Sequence, residues 1–266
     1  MKRLLIAGIF FIAIFFGIWL VAIPRDLIEN LIEHSLQESG MIFDVRGLKK
    51  GVFYNFESEH LILKKADDTL LSIDNATGQI NLLSLIMLRL PLRFSGSIAG
   101  GRIRGESDLL KGSNHVMFTV DNAEIEKIPA FALMGFTGSG VLSGEFKPLD
   151  NASSIRFAMK DLHFNPAVFG DLSIPLNIFR AGRGTLVIEN DKIEIESFSL
   201  EGTGVYARIK GQITGKELNV NMELMPDKAL VEKVPAFALI KTFEVSPGHY
   251  SIPLRHSIFF SALPTF

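Results

Sequence analysis

The octapeptide EKIPAFAL at Glu126–Leu133 returns as EKVPAFAL at Glu232–Leu239, 106 positions later. The same offset lays RIRG (Arg102–Gly105) on RIKG (Arg208–Gly211) without a gap. It also pairs Gly78 with Gly184, Gly96 with Gly202, Asp121 with Asp227 and Ala123 with Ala229. Self-similarity at a fixed spacing marks a duplicated structural unit, and the unit then decides the fold. We place the two units at about 78–146 and 184–254.

The residues between the repeated landmarks alternate with period two. In KELNVNMELM, Leu218, Val220, Met222 and Leu224 fall on one face, with Asn219, Asn221 and Glu223 on the other. GVYARIKGQIT does the same, with Val205, Ala207, Ile209 and Ile213 against Tyr206, Arg208, Lys210, Gln212 and Thr214. DKIEIESFSLEG alternates and then slips by one near Ser197–Phe198, which predicts a bulge. SSIRFAMKDLHF, HVMFTV, GRGTLVIEN and EHLILKK are further strand candidates. KKG, ADD, DNATG, KGSN, ENDK and TGKE read as the turns between them. The reading is mainly β: a curved antiparallel sheet, apolar on one face and wet on the other.

Within each unit the repeated octapeptide reads as a short helix. Asp121 and Asp227 stand at N-cap positions, and Pro129 and Pro235 restart the helix at a first-turn position. Phe131, Leu133 and Met134, or Phe237, Leu239 and Ile240, supply the apolar payload. The expected role is packing, with each helix plugging the sheet at a crossover. A contact with lipid or a partner is the alternative.

Lys2 and Arg3 precede a run of 20 uncharged residues, Leu4–Ile23. That is long enough to cross a bilayer as a helix. A signal peptide is the rival reading, but its apolar region is shorter, and LVAIPRD is a poor match to a small-x-small cleavage site. We therefore expect a transmembrane anchor at 1–24, with a cytoplasmic N-terminus and the bulk outside the cytoplasm. Residues 25–40 read as an amphipathic linker helix carrying Leu27, Ile28, Leu31, Ile32 and Leu36 on one stripe. Its acidic residues favour packing on the following domain over lying on a membrane. Residues 41–266 form the β-rich domain.

Little in the chain points to chemistry. The absence of cysteine excludes disulfides, thiolate metal sites and a cysteine nucleophile. The formal net charge of −2 does not suit nucleic-acid binding. The six histidines show no metal-ligand spacing. GSGVLSG, with Gly138, Gly140 and Gly144, is not a dinucleotide fingerprint and runs into a strand instead of a helix. Carboxylates such as Glu194 and Glu196 fall on polar strand faces. We expect no enzyme activity, no catalytic residue, no metal and no cofactor. The candidate residues are the packing set Pro129, Phe131, Leu133, Pro235, Phe237 and Leu239.

The layout resembles a known family. The stretches LIEHSLQESGMIFDVRGLKKGVFYNFESEHLIL, LLSLIMLRLPLRFSGSIAGGRIRGE and VDNAEIEKIPAFALMGFTGSGVLSGEF, followed by GTGVYARIKGQI and SPGHYSIPLRHSI, resemble the GspN-like branch of type II secretion system protein N. That branch is similar to the wider AsmA-like group. The resemblance implies a single-pass bacterial inner-membrane protein with a periplasmic β-domain. Its implied role is that of an accessory structural component of a type II secretion system, with other secretion proteins as partners. The AsmA-like likeness implies an alternative, a lipid-binding or lipid-handling protein. The apolar faces of the alternating strands then form either an open groove, partly closed by a helix per repeat, or a filled core.

Overall fold

A computed structural model describes residues 41–257, apart from 52–53, 82–83, 85–86, 90, 109–115, 134, 151, 170–171, 190–191, 216, 234–236 and 238–239. The expected anchor at Leu4–Ile23 and linker helix at 25–40 lie outside the described residues. No helix among the described residues is long and apolar enough to cross a membrane.

The chain runs β1 (Met41–Arg46), β2 (Lys49–Lys50), β3 (Asn55–Lys65), β4 (Asp68–Ile80), β5 (Pro91–Ile98), β6 (Gly101–Asp108) and β7 (Met117–Glu124). A 3-10 turn, Ile125–Lys127, leads into α1 (Pro129–Leu133) and then β8 (Gly138–Pro148). There follow β9 (Ser153–Phe164), β10 (Ala167–Phe169), β11 (Leu172–Ile174), β12 (Phe179–Glu189), β13 (Lys192–Gly202), β14 (Val205–Thr214) and β15 (Glu217–Pro226). Helix α2 (Lys228–Lys233), β16 (Glu244–Ser246) and β17 (His249–Ser257) complete the described chain. Except for the small β10–β11 ribbon, the strands form one 15-stranded sheet in near-sequential order. Every pairing in it is antiparallel.

An open sheet this wide does not stay flat. Three bulges show where it bends. Asn75, Asn122 and Asp161 have φ of 49°, 55° and 51°, the left-handed region that Asn and Asp tolerate better than most residues. Each sits at a register shift, in β4, β7 and β9 respectively. An extra residue at each bulge returns the alternation to its original face. Ile73 and Ala76, Val120 and Ala123, and Met159 and Leu162 therefore all point to the same side. The bulge expected at Ser197–Phe198 is present, with the pairing jumping between Ile195 and Phe198.

Three local expectations need correction. DNATG is not a turn: Asp74–Gly78 lies inside β4, and its turn-forming residues make the bulge at Asn75. Asp121 is not an N-cap. It lies in β7 opposite Arg102, with its carboxylate 3.0 Å from Arg104. The bulge at Asn122 lets β7 continue to Glu124, so a strand occupies the place of the expected first helical turn. The first helix does not sit at a crossover: α1 joins β7 to β8, which are neighbours in the sheet. The second does, since the segment with α2 runs from β15 past β17 to β16 on its far side.

Asp227 behaves as expected. Pro226 ends β15, and the Leu230 N–H donates to Asp227 Oδ1 at 2.7 Å, capping α2. Pro129 opens α1 as its first residue.

Candidate functional site

The register places the apolar face in rows that cross the strands. At the end of the sheet that carries α1 and α2, one row runs Ala123, Leu142, Met159, Gly182, Leu200, Ala207, Leu224 and Tyr250. All but Leu142 are buried. Ile125, Ile128 and Phe131 from the first helical segment cover it, together with Leu230, Val231, Phe237 and Ile240 from the second. α1 also reaches back to β4, where Leu71 and Ile73 join the same cluster, so the sheet curls around it.

The row at the opposite end has a different fate. It runs Phe56, Gly78, Phe94, Gly105, Phe118, Phe146, Ile155, Leu186, Ile195, Gly211, Val220 and Leu254. Phe94, Phe118, Phe146, Ile155, Leu186, Ile195 and Leu254 are only half-buried. Phe56 and Val220 are buried, and Phe94, Phe118 and Leu254 border the two clusters under the helices, but the row as a whole lacks the burial of the row beside α1 and α2. At about 4.8 Å per strand, Phe94 to Leu254 spans on the order of 40 Å. The apolar face is thus filled at one end and open at the other.

Glycine shapes the floor of this face. The ring of Phe56 lies over Gly78, that of Phe94 over Gly105, and that of Phe157 over Gly184. Each is a directly cross-strand pair. A Cβ at any of these glycines would run into the ring, so the absent side chain is what lets the phenyl lie flat across the next strand. Phe118 and Phe146 stack at 5.0 Å with an interplanar angle of 8°. The result is a low aromatic floor.

The opposite face is polar. Phe56, Phe94, Phe118 and Phe146 of the row line an open cleft of about 590 Å³, together with Arg93, Glu106, Glu145 and Lys147 from the positions beside them. Its charges pair off, Arg93 with Glu106 at 3.4 Å and Lys147 with Glu145 at 2.7 Å, so it presents no net sign to an ion. Farther along, Asp44 takes hydrogen bonds from Arg46 at 2.9 Å and Lys64 at 2.7 Å. These cations, Arg46 first, hold the Asp44 carboxyl down at about 2. Among the described residues no group of His, Asp and Glu is placed to hold a metal ion.

The six residues singled out from sequence separate. Phe237 is 2% exposed and packs 6.1 Å from Tyr250, at the centre of the larger core. Phe131 is half-buried between the two main clusters. Leu133 does not pack as expected: it ends α1 and is 39% exposed. A helix of five residues has room for only one inward face, and Phe131 takes it. Pro235 and Leu239 lie outside the described residues. The open row was not singled out. Its signal was present as Phe-rich period-two alternation, but alternation does not reveal which end of a strand is covered.

The fold and this face define a class: a single antiparallel sheet, curved around two short helices, with an uncovered apolar row at one end. Comparison of the chain with protein-family models, with curated proteins and with solved structures finds no match to any of them.

Proposed function

We propose that this protein binds and handles lipid, with acyl chains lying along the open apolar row. One observation carries the reading: from Phe94 to Leu254 the core face of the sheet continues in a row that, Val220 apart, is only half-buried. Such a strip is costly to leave in water, and a long apolar ligand offsets that cost without any charged site. The proposal includes an inner-membrane anchor at Leu4–Ile23 and a periplasmic β-domain. The test is native mass spectrometry of the full chain extracted in mild detergent. A stoichiometric phospholipid adduct is expected, lost in Phe118→Glu. A lipid-free protein of unchanged stability overturns the reading.

Service to a type II secretion system is the second reading. It rests on the sequence resemblance and on one structural feature. β16 covers β17 only at Tyr250 and His249, so residues 251–257 of β17 form an open edge among the described residues. An open edge can accept a strand from a partner protein. Co-purification of secretion-machine proteins that is lost when residues 251–257 are disrupted supports it. Their retention argues against this edge as the contact.

A further inference from the structure

We infer that the rim at the open end of the apolar row is a membrane-contact surface, where Met87, Leu88 and Leu149 insert into the acyl layer of a bilayer. The inference rests on the lipid-handling reading and specifies how the row meets its lipid. The β4–β5 connection carries Met87 and Leu88, and the β8–β9 connection carries Leu149. Both connections turn at the end of the sheet away from α1 and α2, because Pro91 pairs with Asp108 and Pro148 with Ser153 there. Met87 is 75% exposed, Leu88 82% and Leu149 51%.

Leu88 is held at φ +53°, a conformation leucine rarely adopts. The Arg89 N–H donates to the Ser84 carbonyl at 3.1 Å and closes the loop behind it. The backbone therefore accepts strain while a large apolar side chain points into solvent, a combination associated with function. In the order β4-β5-β6-β7-β8-β9 the two connections lie four strand spacings apart, so the tips are separated by about 19 Å along the rim. A flat bilayer matches such a line of tips. The rim carries little net charge for an acidic partner, since Arg93 and Lys147 are paired with Glu106 and Glu145, and the exposed Arg89 beside Leu88 is balanced by the exposed Asp150 beside Leu149. Contact by apolar insertion, largely independent of salt, is what remains.

The chain has no cysteine, so single labels can be placed without removing native thiols. The full chain carrying Leu88→Cys, Leu149→Cys or, as a control on the polar face, Lys210→Cys is labelled with an environment-sensitive fluorophore. It is reconstituted in phosphatidylcholine vesicles containing acyl-chain spin-labelled lipid. Quenching at positions 88 and 149, absent at 210 and equal at low and high salt, is expected. Met87→Glu with Leu88→Glu should slow lipid loading about tenfold while the melting temperature and the final lipid load stay unchanged. Equal quenching at all three positions, quenching abolished by salt, or no quenching at 88 and 149 overturns the inference. If quenching fails while the phospholipid adduct persists, the rim inference alone falls. If the adduct is also missing, the lipid-handling reading falls with it.

Discussion

The ring of Phe157 lies across Gly184, with its Cζ 2.6 Å from where a Cβ would be, and Phe56 lies across Gly78 in the same way. Gly78 and Gly184 are partners in the sequence repeat. What the duplication preserves at this position is a gap, one that lets a phenyl from the neighbouring strand lie flat. Gly184→Val should force the ring off its rotamer and cost about 1–3 kcal/mol. Equilibrium urea unfolding checks this, and pairing the change with Phe157→Ala should recover part of the overpacking loss.

Three of the four Phe and Leu positions of the repeated octapeptides, Phe237, Phe131 and Leu133, should rank by burial. Phe237→Ala should cost about 3–5 kcal/mol, as for a full-sized core truncation. Phe131→Ala should cost less, because its ring is only half-buried. Leu133→Ala should stay within about 0.5 kcal/mol. Equal losses at all three sites would contradict the packing described above.

Asp121 and Asp227 are equivalent in sequence but not in role. Asp227→Ala removes the cap of α2 and should cost about 1 kcal/mol. Asp121→Ala removes an exposed ion pair with Arg104 and should cost between about 0 and 1 kcal/mol. The loss at Asp227 should be insensitive to salt, and any loss at Asp121 should shrink as salt is raised. Thermal melts at two ionic strengths separate the two.

Asp44 contributes a pH dependence of known sign. Its folded value of about 2 lies below the roughly 3.9 of an unfolded aspartate. The folded state therefore binds the proton less readily. The contribution is full above about pH 4 and is lost as pH falls towards 2. Because the pair is partly solvent-exposed, the effect should be under about 1 kcal/mol. Asp44→Asn should flatten the stability profile between pH 4 and 2, and leave it unchanged at neutral pH apart from a constant offset.

Much of the sheet was legible before any coordinates. Val220, Met222 and Leu224 are buried while Asn219 and Asn221 are exposed, as the alternation in KELNVNMELM required. SSIRFAMKDLHF is β9 residue for residue. Two of the failures share one cause. DNATG and the Asp121 segment carry turn and cap residues, and the same Asn and Asp side chains that stabilise turns also stabilise the left-handed residue of a bulge. Local chemistry does not choose between the two. Strand pairing on both sides does, because a bulge keeps the ladders of β4 and β7 intact where a turn would break them.

The sequence by itself determined which residues share a face within each unbroken stretch of alternation and where several hairpins turn, as at Ala66–Asp67 and Gly215, because alternation and turn chemistry are local. Only the tertiary structure decided which part of the apolar face is covered. That cover comes from Phe131 reaching back to β4 and Phe237 closing on Tyr250, contacts whose partners are remote from the helices in the chain or set by the sheet's curvature. The aromatic row from Phe94 to Leu254 has the same alternating pattern as the buried row beside α1 and α2. It stays open because each helix is too short to extend along the whole strand.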